Sequence, residues 1–154
     1  MKNQSIIILA IITMCLAACG KSSKTVSAES MTLYAGDGYV QTPSPKYYKI
    51  TKDGVMEDTL VWMNNEDVFD KPVPAERSVR AKDLLGKITS GMLKENNKSY
   101  ESERLADAPA NTIAATVNGK TYKWNITSDV ESLPKHVRDF GTAVNEATAQ
   151  LEGK

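Results

Sequence analysis

The chain has 154 residues, 19 basic and 19 acidic side chains, and 41% apolar residues. That length amounts to one domain, and the lack of net charge argues against a nucleic-acid binder or a polybasic surface. Both cysteines, Cys15 and Cys19, fall in the first twenty residues. The rest of the chain therefore offers no thiol for a disulfide, a catalytic nucleophile or a thiolate metal site.

Lys2 makes the start positive, and residues 6–14 form an almost unbroken apolar run. The run is shorter than the roughly 20 residues a spanning helix needs. A positive start, a short apolar centre and small residues at the exit read as a secretory signal. It ends in Leu16-Ala17-Ala18-Cys19, which resembles the lipobox of bacterial lipoproteins. The resemblance implies that Cys19 receives a diacylglycerol thioether and that signal peptidase II cuts between Ala18 and Cys19. A thiolate is the nucleophile such a transfer needs, and two or more acyl chains hold a protein stably where one does not. Removing residues 1–18 leaves 136 residues with 18 basic and 19 acidic side chains. Gly20 stands where this family uses Asp for inner-membrane retention. The expected location is the outer membrane, facing the periplasm, in a cell with two membranes. In a cell with one, it is the outer face of that membrane.

Residues 20–30 are small, polar and aperiodic, and read as a flexible tether after the lipidated cysteine. A single domain is expected over 31–154. Residues 31–40 form a strand interrupted by Gly36-Asp37-Gly38, and Pro43 and Pro45 make 41–46 a loop. Strands at 47–51 and 55–63 flank a Lys52-Asp53-Gly54 turn, with Gly54 suited to positive φ. Pairing Thr51 with Val55 sets Ile50 against Met56 and Lys49 against Glu57, which matches apolar and opposite-charge partners. Residues 64–74 read as a loop. A helix then opens at Pro74 or Ser78 and runs to about residue 94, with Ala81, Leu84, Leu85, Ile88 and Met92 on one stripe. Gly86 and Gly91 weaken it by up to ~1 kcal/mol each.

Residues 95–110 read as a polar loop. Asn118-Gly119 is the strongest hairpin signal in the chain. It pairs Val117 with Lys120, Ala115 with Tyr122 and Ile113 with Trp124. One face then carries Ile113, Ala115, Val117, Tyr122, Trp124 and Ile126. The last helix opens near Pro134, where proline is tolerated, or at a Ser128–Glu131 capping box. Its stripe is Val137, Phe140, Val144, Ala147 and Leu151. The fold class is α+β: an antiparallel sheet, built as a β-meander plus a β-hairpin and packed by two amphipathic helices, in the order ββ(β)-α-ββ-α.

Chemistry-bearing residues are sparse. His136 is the lone histidine, so neither a Ser-His-Asp set nor a histidine zinc site can be assembled around it from the sequence. A surface or cap role is expected. Asn64, Asn65, Glu66, Asp67 and Asp70 are oxygen-rich but lack EF-hand spacing, and read as solvated acids. The sequons at Asn97 and Asn125 read as coincidental. Gly36-Asp37-Gly38-Tyr39 permits a bulge or the close approach of a partner. Tyr34, Tyr39, Tyr47 and Tyr48 would supply contact area there, although Tyr47 or Tyr48 must face the core. No cofactor or metal is expected.

The order Gly38-Tyr39, Tyr48-Lys49-Ile50, Asp53-Gly54, helix, hairpin and a helix opening at Leu133-Pro134 is similar to emfourin-type inhibitors of thermolysin-like metalloproteases. The resemblance implies protease inhibition through the region of residues 35–45. The leading expectation is a lipid-anchored, non-enzymatic binding or scaffolding domain with a protein partner and no nucleic acid. An envelope enzyme using carboxylates is the remaining alternative.

Overall fold

The computed structural model describes residues 24–35, 46–58, 68–105 and 108–154. Chain order gives β1 (Thr25–Val26), β2 (Ser30–Ala35), β3 (Lys46–Thr51), β4 (Val55–Asp58) and β5 (Phe69–Pro72). Then come α1 (Ala75–Asp83), a 3-10 turn (Leu84–Gly86), β6 (Ile88–Thr89), α2 (Ser90–Leu93) and β7 (Lys98–Tyr100). The hairpin β8 (Ala110–Val117) and β9 (Lys120–Thr127), a 3-10 turn (Val130–Ser132) and α3 (Lys135–Glu152) complete the chain. The main sheet runs β5-β4-β3-β2-β8-β9-β7, and β1 pairs with β6 apart from it. The fold is α+β with a mostly antiparallel sheet, the exception being β7 parallel to β9.

The hairpin has the expected register: Val117 faces Lys120, Ala115 faces Tyr122 and Ile113 faces Trp124. Asn118 and Gly119 both take positive φ, 51° and 72°, as a two-residue turn matched to strand twist requires. Gly119→Ala would force a Cβ into that region at a cost of about 1 kcal/mol or more. A thermal melt should show a transition several degrees lower, and an unchanged melt would contradict this turn geometry. One face of each strand alternates inward. Met31, Leu33, Tyr48, Ile50, Ile113, Trp124 and Ile126 are buried with Val137, Phe140, Val144, Ala147 and Leu151 of α3. The α3 stripe therefore covers the sheet as its spacing predicts. Pro74 and Pro134 are the N-caps of α1 and α3, and neither helix uses a side-chain cap.

Four sequence expectations are corrected. The β3–β4 register slips by one: Ile50 faces Val55, Lys49 faces Met56 and Tyr48 faces Glu57. Thr51 lies inside the turn, where its N–H donates to Gly54 O at 2.9 Å and its Oγ1 accepts from Gly54 N at 3.3 Å. Residues 52–54 join the two strands, and Gly54 is not among the positive-φ glycines of the described residues, Gly119 and Gly153. Glu57 finds its charge partners elsewhere, in Lys71 at 3.3 Å and Lys46 at 3.8 Å.

The helix expected to run to residue 94 ends at Asp83. Its stripe residues are all buried, but a 3-10 turn, β6 and the four-residue α2 bury them in place of continuous helix. Thr89 caps α2 by accepting from Met92 N at 3.3 Å, as Thr does at helix starts. The polar segments also hold strands. Phe69–Pro72 is β5 within the expected loop 64–74, and Lys98–Tyr100 is β7 within 95–110.

Order begins before Met31. Thr25 faces Thr89, Val26 faces Ile88, and Ser90 N donates to Lys24 O at 2.9 Å. Ala28 is buried and its N–H donates to Leu85 O at 2.7 Å.

Candidate functional site

Two clusters stand out, one at each end of α3. At the C-terminal end, an open pocket of about 210 Å³ lies where β2 stops, with Ala35, Pro109, Asn111, Ser128, Asn145, Thr148 and Glu152 in its wall. Asn145 Nδ2 donates to Ser128 O at 2.8 Å, which fixes the amide. Its Oδ1 then faces Asn111 Nδ2 at 3.5 Å, a long and weak contact. Thr148 Oγ1 is buried without a hydrogen-bond partner among the described residues. Among the described residues Glu152 supplies the side-chain carboxylate of the wall, and it is paired with Lys154 Nζ at 2.7 Å. Neutral amide and hydroxyl groups suit recognition of a polar surface.

At the N-terminal end, Glu95 is the hub of a clasp. Its carboxylate accepts from Tyr100 Oη at 2.5 Å, Lys98 Nζ at 2.9 Å and His136 Nε2 at 2.8 Å. Its backbone carbonyl and that of Met92 accept from Trp124 Nε1 at 3.0 and 3.2 Å. One residue thus joins β7, β9, α2 and α3. The Tyr100 hydroxyl, then Lys98 and His136, hold the Glu95 carboxyl down at about 2 from its ordinary 4.5. Burial and the facing Glu95 carboxylate push the Tyr100 phenol up. An ionised carboxylate only accepts, so His136 Nε2 carries the proton. His136 is a half-buried member of a clasp rather than the surface or cap residue expected from the sequence. Its partner Glu95 lies 41 residues away in sequence, and no local spacing signals the pair.

The sign of the pH dependence follows. A depressed acid stabilises the fold fully above its unfolded pKa, and that contribution is lost as pH falls from about 4.5 toward 2. Urea midpoints of the native protein and Glu95→Gln should therefore differ most near neutrality and converge in acid. A gap that stays constant down to pH 3, within the ~4.5-to-2 window, would contradict this.

Other groups have structural roles. The Tyr48 ring is in the core, and burial, then Glu57 and Glu152, raise its phenol to about 12. Tyr34 and Tyr47 face away from the core with ring centroids 4.4 Å apart. Asp129 accepts from Ser132 and Ser102 hydroxyls at 2.6 and 2.7 Å, which lowers its carboxyl. Among the described residues no three His, Cys, Asp or Glu side chains gather as a metal site. No helix among them is long and apolar enough to cross a membrane.

Cys19, Ala18, Gly36, Asp37, Gly38 and Tyr39 lie outside the described residues, as do Asn64, Asn65, Glu66 and Asp67. Asp70 is exposed on β5. The structure does locate the two ends of segment 36–45: Ala35 faces Lys46 across β2 and β3, and Ala35 is part of the pocket wall. Compared with protein-family models, curated proteins and solved structures, the chain matches none.

Proposed function

We propose that the protein is a lipid-anchored cell-envelope component that acts as a non-enzymatic binding or scaffolding domain for a protein partner. The observation that carries the reading is Leu16-Ala17-Ala18-Cys19 behind a short apolar run. Cys19 is the one cysteine left after cleavage at Ala18, so its chemistry is free for anchorage. Gly20 at the following position favours the outer membrane where the envelope has two. The binding part of the proposal draws on the amide- and hydroxyl-lined pocket beside α3. Thr148 Oγ1, without a hydrogen-bond partner among the described residues, can pair with a partner's backbone N–H or C=O group.

A photo-crosslinking phenylalanine at Ala149, in the pocket wall, tests this in intact cells. It should give a discrete protein adduct that Asn111→Leu weakens severalfold, while the same probe at Asp139 gives none. Absence of any adduct from Ala149 would count against the binding role.

Ala35, the last described residue before segment 36–45, is part of the pocket wall. That position supports a second reading, inhibition of thermolysin-like proteases. Unchanged cleavage by such a protease at micromolar protein would remove it.

A further inference from the structure

Basic side chains are concentrated in a few stretches of the near-neutral chain, flanked by the exposed acids Asp83 and Glu131. Along residues 84–100 the charged side chains are Lys87, Lys94, Lys98 and Glu95, and Glu95 is already occupied by Lys98 and His136. Strand β9 carries Lys120 and Lys123 and no acid, and the first turn of α3 carries Lys135 and Arg138 and no acid. Asp139, in the next turn, is the first acidic residue of α3.

These elements meet at one place. Ser90 N donates to Lys24 O. A Cβ at Gly91 would stand 3.1 Å from the His136 ring, next to Lys135. Asn96 Oδ1 accepts from Lys123 N at 2.9 Å. Lys24, Lys87, Lys94, Lys123 and Lys135 are all exposed. This basic end surrounds Lys24, the point where the chain leaves toward Cys19.

The distance to Cys19 is short. Because β1 is bound to β6, only four residues lie between Lys24 and Cys19, a Cα–Cα span of at most ~17 Å when fully extended. A lipid at Cys19 would hold Lys24 within a screening length or two (~8–10 Å each) of the headgroups. The pocket lies at the other end of α3: Thr89 Oγ1 donates to His136 O near its start, and Thr148 lies twelve residues on, ~18 Å along the helix.

We propose that the lysine-rich end around Lys24, Lys87, Lys94 and Lys135 docks on anionic phospholipid headgroups of the membrane that carries the anchor. Docking turns the pocket walled by Asn111, Asn145 and Thr148 away from that membrane. The proposal rests on the lipid-anchor reading. It makes the anchored domain an oriented one, with its partner approaching from the side opposite the lipid.

The test uses the mature lipidated protein in vesicles of phosphatidylethanolamine with phosphatidylglycerol, and in vesicles of phosphatidylcholine alone. Single cysteines Ser99→Cys, on β7, and Ala75→Cys, at the start of α1, carry a fluorophore, and the vesicles carry a headgroup quencher. Both positions are exposed. With phosphatidylglycerol present, the Ser99 label should be quenched severalfold more than the Ala75 label. High salt and the triple variant Lys87→Gln/Lys94→Gln/Lys135→Gln should each remove the difference, the variant weakening docking by roughly tenfold or more. Equal quenching at the two positions, or a difference indifferent to salt and lipid charge, overturns the orientation. Flotation is scored separately. A protein that does not float with either vesicle, and behaves like Cys19→Ala, overturns the anchor reading itself.

Discussion

Trp124→Ala is expected to remove about 3–5 kcal/mol of folding stability, a large share of what a domain of this size possesses. Trp124 is 1% exposed on β9, its ring stacks at 7° on Tyr122 with centroids 6.1 Å apart, and its N–H serves two carbonyls. The alanine variant loses packing and leaves Met92 O and Glu95 O without that donor. Trp124→Phe separates the two effects: it keeps most of the apolar volume and loses the N–H, for about 1–3 kcal/mol. Chemical denaturation should rank native above Phe above Ala. A Phe variant as stable as the native protein would mean that the two carbonyls do not depend on the indole. The segment carrying Glu95 and β7 would then be held by the Glu95 carboxylate and by its backbone pairing with β9.

The second large effect is at Gly141, in the middle of α3, where a glycine ordinarily costs up to ~1 kcal/mol relative to alanine. Here a Cβ would stand 2.2 Å from Leu133 Cδ1 and 3.5 Å from Ile126 Cγ2. Leu133 is 1% exposed, so its side chain has little room to retreat. Gly141→Ala is therefore expected to destabilise by about 1–3 kcal/mol despite the better helix former. In a Leu133→Ala background the obstacle is gone, and the same substitution should become stabilising by up to ~1 kcal/mol. Denaturation midpoints of the four proteins in this cycle measure the reversal of sign. A destabilising Gly141→Ala in both backgrounds would contradict close packing as the reason for the glycine.

These residues show what the sequence does and does not reveal. The β8–β9 register was readable because Asn118-Gly119 admits one turn geometry and a slip would expose Trp124 and Ile126. The α3 stripe was readable because it has no break before its glycine cap at Gly153. The stripe from Ala81 to Met92 misled, since the same spacing is buried equally well by a short helix, a 3-10 turn and a strand. Thr51 shifted the β3–β4 register because its hydroxyl closes the turn from inside. Strand β7 has one apolar residue, Tyr100, and parallel pairing with β9 leaves no local signature. The Glu95–His136 contact and the basic end around Lys24 arise only on folding, and a balanced charge count conceals the latter.

Lipid at Cys19 is the claim on which the proposed function and the proposed orientation both depend. Metabolic labelling with palmitate tests it most directly, on the native protein and on Cys19→Ala expressed in the same cells. The native protein should incorporate label and remain with membranes, and Cys19→Ala should do neither. Equal labelling of the two proteins, or none in the native one, would contradict it.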